Sequence, residues 1–250
     1  MNADRLPWLF VMVSVGGATA SLWVSSYYGL IPDCRVFLDG CTSISSVGRN
    51  PPAAYVFRAT VLPSAALLPF IWLLAAVWLM QVGAASYRWA VTVAVLGGLS
   101  PMLLIVYITL LGAPGELADI LRQRVVTAYF PVALIAKLTT GALLVRQSRA
   151  RAGVVSPWLS YGMLLVAAVV LLVAILSAIV DQLMTDPSRL HHSMQWPATV
   201  VFALWYLLLA LAWRQTGFIL RAERASTAVT SKRPAGEHVG ERTDRLRQAQ

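Results

Sequence analysis

Six stretches of the chain, at 8–28, 55–82, 89–112, 125–145, 158–182 and 197–218, are each long and apolar enough for a bilayer crossing. A hydrocarbon core about 30 Å thick takes about 20 residues of helix at about 1.5 Å per residue. Within that core every backbone N–H and C=O must find its partner inside the chain, so an apolar run of this length takes the form of a helix. Charged residues make up 12% of the sequence, about half the share usual in a soluble domain, and most of them lie between the runs. The expected fold class is therefore all-α, a polytopic membrane protein with six transmembrane helices in one bundle. Trp8, Tyr27, Tyr28, Trp89, Tyr129, Trp158, Trp196 and Trp213 stand near the ends of the runs, and such rings favour the headgroup level. The first run opens like a secretory signal, with Arg5 ahead of it and Ala18-Thr19-Ala20 in the style of a cleavage site. It continues unbroken to Tyr28, which reads as an uncleaved first helix.

Basic residues set the expected orientation. With both ends in the cytoplasm, thirteen lie inside (Arg5, Arg88, Arg146, Arg149, Arg151 and the eight from Arg214 onward) and six outside (Arg35, Arg49, Arg58, Arg122, Arg124 and Arg189). The excess predicts N-in and C-in. The net charge of +9 then serves topology and contact with anionic lipid rather than nucleic acid. From residue 221 the chain is rich in charge, Ser, Thr, Ala and Gly with almost no large apolar side chain. Such a segment cannot offset the entropy of ordering. The expected organisation is a six-helix transmembrane domain over 1–220 and a disordered basic cytoplasmic tail over 221–250.

The longest polar interruption between runs, from Cys34 to Arg58, holds both cysteines and the turn Gly48-Arg49-Asn50-Pro51-Pro52. On the external or luminal side Cys34 and Cys41 can form a disulfide, worth about 2–3 kcal/mol as a small closed loop. Unpaired thiols are the alternative, and two ligands without a nearby His make a poor metal site. Helix breakers occur within the runs, at Pro63, Pro69, Gly97, Gly98 and Pro101. A carbonyl freed there needs a partner from a packed neighbour. Gly16 and Ala20, and Gly17 and Ser21, give four-residue spacings of small residues that allow close helix approach.

Chemistry-bearing residues are few. Lys137 lies mid-span, where a cation costs about 2.5–3.5 kcal/mol on insertion scales and marks function. It either faces a polar cavity, toward a lipid phosphate, or runs along its stem to an interface or to groups such as Thr139. Asp181 closes the fifth run, and His191 and His192 follow in the next loop. With Glu116 on the same side they are candidates for acid/base work or a metal, although adjacent histidines point in different directions on a helix. No nucleophile elbow, zinc-protease helix or phosphate loop is present.

The segment Ser43-Ile44-Ser45-Ser46-Val47-Gly48-Arg49-Asn50-Pro51-Pro52, leading into Tyr55-Val56-Phe57-Arg58, resembles the first external loop of the Frag/DRAM/Sfk family of six-helix membrane proteins. That family includes the fungal cell-wall protein with a Frag-like N-terminal region. Val106-Tyr107-Ile108 resembles its third-span exit. His191 or His192 ahead of Gln195-Trp196 resembles its His and Glu-Trp before the last helix, with Gln195 where the family often has Glu. The resemblance covers 8–218 and implies roles in lipid remodelling, autophagy and lysosomal function, or phospholipid asymmetry.

The leading expectation is a non-catalytic integral membrane protein, at the plasma membrane or an endomembrane, that organises or regulates membrane lipids. Arg49, Arg58 and Lys137 would meet headgroups, and Cys34, Cys41, Gly48, Pro51, Pro52, Gln195 and Trp196 would shape the cap. Membrane lipids are the expected partners, with a protein partner or a second copy possible; no cofactor, metal or nucleic acid is expected. The alternatives are a lipid-remodelling enzyme using His191, His192 and Asp181, and a small-solute transporter using Lys137.

Overall fold

The computed structural model describes residues 3–32, 35–37, 39–150, 154–183 and 188–219, excepting the side chains of 178, 180–183 and 188–193. The chain divides after Leu220, and the expected tail, 221–250, lies outside the described residues.

Helix is the regular structure that these residues form. Six long helices, α1 (Arg5–Tyr27), α3 (Ala53–Gln81), α4 (Tyr87–Leu110), α5 (Glu116–Ala150), α6 (Pro157–Leu183) and α7 (Ser188–Gln215), cover most or all of the six apolar runs, and a single turn, α2 (Ile44–Val47), lies in the first loop. All six long helices have the length and composition to cross a membrane. Two begin well ahead of their apolar runs. α5 begins nine residues early, at Glu116, because Glu116 and Asp119 suit the positive end of the helix dipole and Asp119 pairs with Arg122 at 2.7 Å one turn on. α7 begins at Ser188, ahead of the apolar run, and carries Pro197 within it.

The helices form a closed ring in chain order. Each long helix packs on the next, and α1 packs on both α3 and α7 to close the circuit. Close approach depends on glycine where helices touch. A Cβ on Gly17 would lie 2.0 Å from Thr60 Oγ1 of α3, and one on Gly141 would lie 2.9 Å from the Leu164 Cα of α6. Gly16, by contrast, meets nothing within 4 Å, so of the two spaced pairs in α1 it is Gly17 and the buried Ser21 that face the bundle. The prolines are accommodated within continuous helices. At Pro101 the missing N–H would have served the Gly97 carbonyl, and Ser100 Oγ donates to it instead at 3.1 Å.

The ring has an apolar exterior. Leu9, Met12, Phe70, Leu73, Val95, Leu99, Leu165, Leu172 and Val200 are among many large apolar side chains facing outward, as lipid-facing positions require. The interior carries the largest buried side chains, Trp72, Trp78, Trp205, Trp213 and Lys137. Tyr27, Tyr28, Trp89 and Trp158 are exposed, as headgroup-level rings would be, but Trp196 and Trp213 are buried. Those two lie near span ends but turn inward: Trp213 packs edge-on against Trp78, and Trp196 packs under the first loop.

Candidate functional site

The first loop folds over one end of the ring as a cap. Ser43 starts α2 with a capping box, its side chain accepting from the Ser46 N–H while the Ser46 hydroxyl accepts from the Ser43 N–H. Ser25 Oγ of α1 donates to the Val47 carbonyl at 3.0 Å, and Trp196 Nε1 of α7 donates to the Thr42 carbonyl at 3.1 Å. Val36, Val47 and Trp196 form a small core beneath, with Cys41 and Ile44 packed on it. Gly48 lies against the Phe57 ring, where a Cβ would come within 2.7 Å. The α4–α5 turn completes the cap. Gly112 has φ +78, and a Cβ there would sit 2.7 Å from the Arg49 carbonyl, so its backbone requires glycine on both counts. Pro51 and Pro52 are joined by a cis bond, and Pro52 precedes the first turn of α3.

The structure separates the two arginines expected at headgroups. Arg49 is exposed at the rim. Arg58 is half-buried, and its guanidinium donates to the Leu111 carbonyl at the end of α4. Arg58 thus ties α3 to the α4–α5 turn through one guanidinium nitrogen, while its Nε has no hydrogen-bond partner.

A groove that the sequence did not single out runs along the cap end of α1. It encloses about 480 Å³ between α1 and the returning loop, lined by Thr19, Leu22, Trp23, Ile31, Arg35 and Phe37 among others. Trp23 and Phe37 present exposed rings, and the Arg35 side chain is also exposed. From Ser26 down to Thr19 the α1 wall covers about 10 Å of membrane depth. The Arg35 N–H is held by Asp39 Oδ2 at 2.8 Å, which fixes the backbone from which the guanidinium extends. The groove thus combines apolar lining side chains with one cation.

Lys137 occupies the middle of the ring. It neither reaches an interface nor bonds Thr139: it is 1% exposed, and its Nζ has no hydrogen-bond partner. Four rings surround it instead, with Nζ 3.6 Å from the Tyr206 centroid, 4.3 Å from Trp205, 4.5 Å from Phe202 and 5.6 Å from Trp72. Gly97 of α4 makes the space, since a Cβ there would sit 2.2 Å from Trp72. Trp72 stacks on Trp205 at 5.2 Å, and Phe10 of α1 closes edge-on against Tyr206 at 4.7 Å. A ring face beneath an ammonium contributes about 0.5–2 kcal/mol. Four faces therefore match the insertion penalty of about 2.5–3.5 kcal/mol, which explains how the lysine is tolerated. Sequence reasoning could flag Lys137 as costly, but rings contributed by α3 and α7 can be brought to it only by the fold.

Gln195 is half-buried, and Thr199 Oγ1 donates to its carbonyl. The expected pairing of Cys41 involves Cys34, which lies outside the described residues, as do the side chains of Asp181, His191 and His192. Among the described residues no group of three His, Cys, Asp or Glu could hold a metal.

These features define an integral, multi-pass membrane protein with six spanning helices, capped at one end and filled at mid-depth by an aromatic cage. No family model, curated protein or solved structure matches the chain.

Proposed function

We propose that the protein is a non-catalytic lipid organiser of the Frag/DRAM/Sfk type, which holds a phospholipid in the groove between α1 and the first loop. The observation that carries this reading is the pairing, in one groove lining, of apolar side chains, Leu22, Trp23 and Phe37, with the Arg35 side chain. The acyl chain lies along α1, and the phosphate meets Arg35, which has no ion pair among the described residues. The cap, clipped by a Cys34–Cys41 disulfide, keeps Arg35 and Phe37 at their depth. With both termini in the cytoplasm, the groove opens to the external or luminal leaflet of the plasma membrane or an endomembrane. Arg49, exposed at the rim, is a second headgroup contact, and the lipid itself is the principal partner.

The reading is tested with purified full-length protein in detergent and a fluorescent phospholipid. Arg35→Gln with Phe37→Ala should weaken binding about tenfold, the loss expected when one charge-assisted contact and one ring are removed. Arg122→Gln, a rim change away from the groove, should leave it unchanged. Equal binding by the groove variant and the wild type would refute the assignment.

A further inference from the structure

The turn that brings Arg35 to the groove carries a carboxylate as well. Asp39 Oδ2 accepts from the Arg35 N–H at 2.8 Å, and the Asp39 N–H donates to the Arg35 carbonyl at 2.8 Å. These two bonds hold residues of opposite charge together at one edge of the groove. Both side chains are exposed, yet they do not neutralise each other, since among the described residues the only ion pair joins Arg122 to Asp119. One Asp39 oxygen is committed to the Arg35 main chain, while the Arg35 side chain belongs to the groove lining. A carboxylate offers about four acceptor sites, and within the protein the Asp39 side chain uses one of them. The residues between the two charges are seated on the cap: Val36 is buried in one small core with Val47 and Trp196, and the Phe37 ring lies 5.8 Å from the Trp196 ring.

We infer that the groove selects a zwitterionic phospholipid whose headgroup ends in a primary ammonium, the phosphatidylethanolamine class, with its phosphate at Arg35 and its ammonium at Asp39. The inference rests on the lipid reading of the groove and names the headgroup that the groove takes. An arginine alone would favour every phosphate-bearing lipid, and anionic ones most. The carboxylate beside it repels surplus negative charge and supplies an acceptor for an ammonium N–H. A primary ammonium donates charge-assisted hydrogen bonds to such an oxygen. A trimethylammonium has no N–H to give, and a glycerol headgroup carries no positive charge.

The experiment measures binding of phosphatidylethanolamine, phosphatidylcholine and phosphatidylglycerol, all with the same fluorescent acyl chain, to the purified full chain in detergent. The wild type should bind phosphatidylethanolamine about fivefold more tightly than the other two, the upper range for an exposed charge pair. Asp39→Asn keeps an oxygen to accept the Arg35 N–H but removes the charge, and should bring phosphatidylethanolamine down to the level of the others. Phosphatidylglycerol, which needs Arg35 but not Asp39, should bind this variant at least as well as the wild type, which shows that the groove is intact. Equal wild-type affinity for the three lipids would overturn the headgroup assignment and leave the groove reading standing, as would a preference that survives Asp39→Asn. Wild-type protein that binds none of the three overturns both. If Asp39→Asn loses phosphatidylglycerol as well, its turn is disturbed, and the wild-type series alone decides.

Discussion

At the scale of single residues, tryptophan does work in this protein that composition does not reveal. Trp196 stands at the start of an apolar run, where an interfacial ring would be expected, yet it is 6% exposed and donates to the Thr42 carbonyl. Trp196→Phe removes the donor and leaves that carbonyl unpaired beneath the cap. A loss of about 1–3 kcal/mol is expected, read as a lowered Tm with unchanged helix content; an unchanged Tm would mean that the bond contributes nothing. Arg58 likewise makes a contact that its local sequence does not announce. Its position at the entry to a span suggests a lipid contact, and one of its guanidinium nitrogens also donates to the Leu111 carbonyl, a partner 53 residues away. Lys137 was conspicuous in the sequence because one cation in an apolar run violates a local rule. Its surroundings were not legible, because the rings come from α3 and α7.

At the scale of elements, most of the architecture could be read in advance. The six apolar runs become the cores of six helices, and the helices pass through their prolines because buried neighbours such as Ser100 take up a freed carbonyl. The ends were less legible. α5 extends to Glu116 through polar residues that apolarity does not count, stabilised by charges at its first turn. The groove escaped notice for a similar reason: Arg35 and Phe37 sit in an irregular loop, and only the return of that loop onto α1 gives them a common purpose. Small-residue spacing left two faces of α1 open, and packing selects one. Gly17→Leu should therefore disrupt the α1–α3 contact by at least about 1–3 kcal/mol through overpacking against Thr60. Gly16→Leu, pointing into open space, should melt close to wild type. Equal melting of the two variants would contradict the assigned face.

At the scale of the whole molecule, a ring of six helices meets two different demands. Its exterior is apolar for lipid, and its interior holds buried indoles and one buried lysine. The cap joins α1, α3, α7 and the α4–α5 turn at one end, so the groove beside α1 is held by the same contacts that close the bundle. The proposed lipid site rests on this arrangement of the whole fold and not on any motif. The most direct measurement is photo-crosslinking of the full-length protein in liposomes, using a phospholipid with a photoactivatable acyl chain and mapping the labelled peptides. The account predicts labelling concentrated between Thr19 and Phe37 and lost when Arg35→Gln is combined with Phe37→Ala. Uniform labelling of all lipid-facing helices, unchanged by that variant, would contradict it.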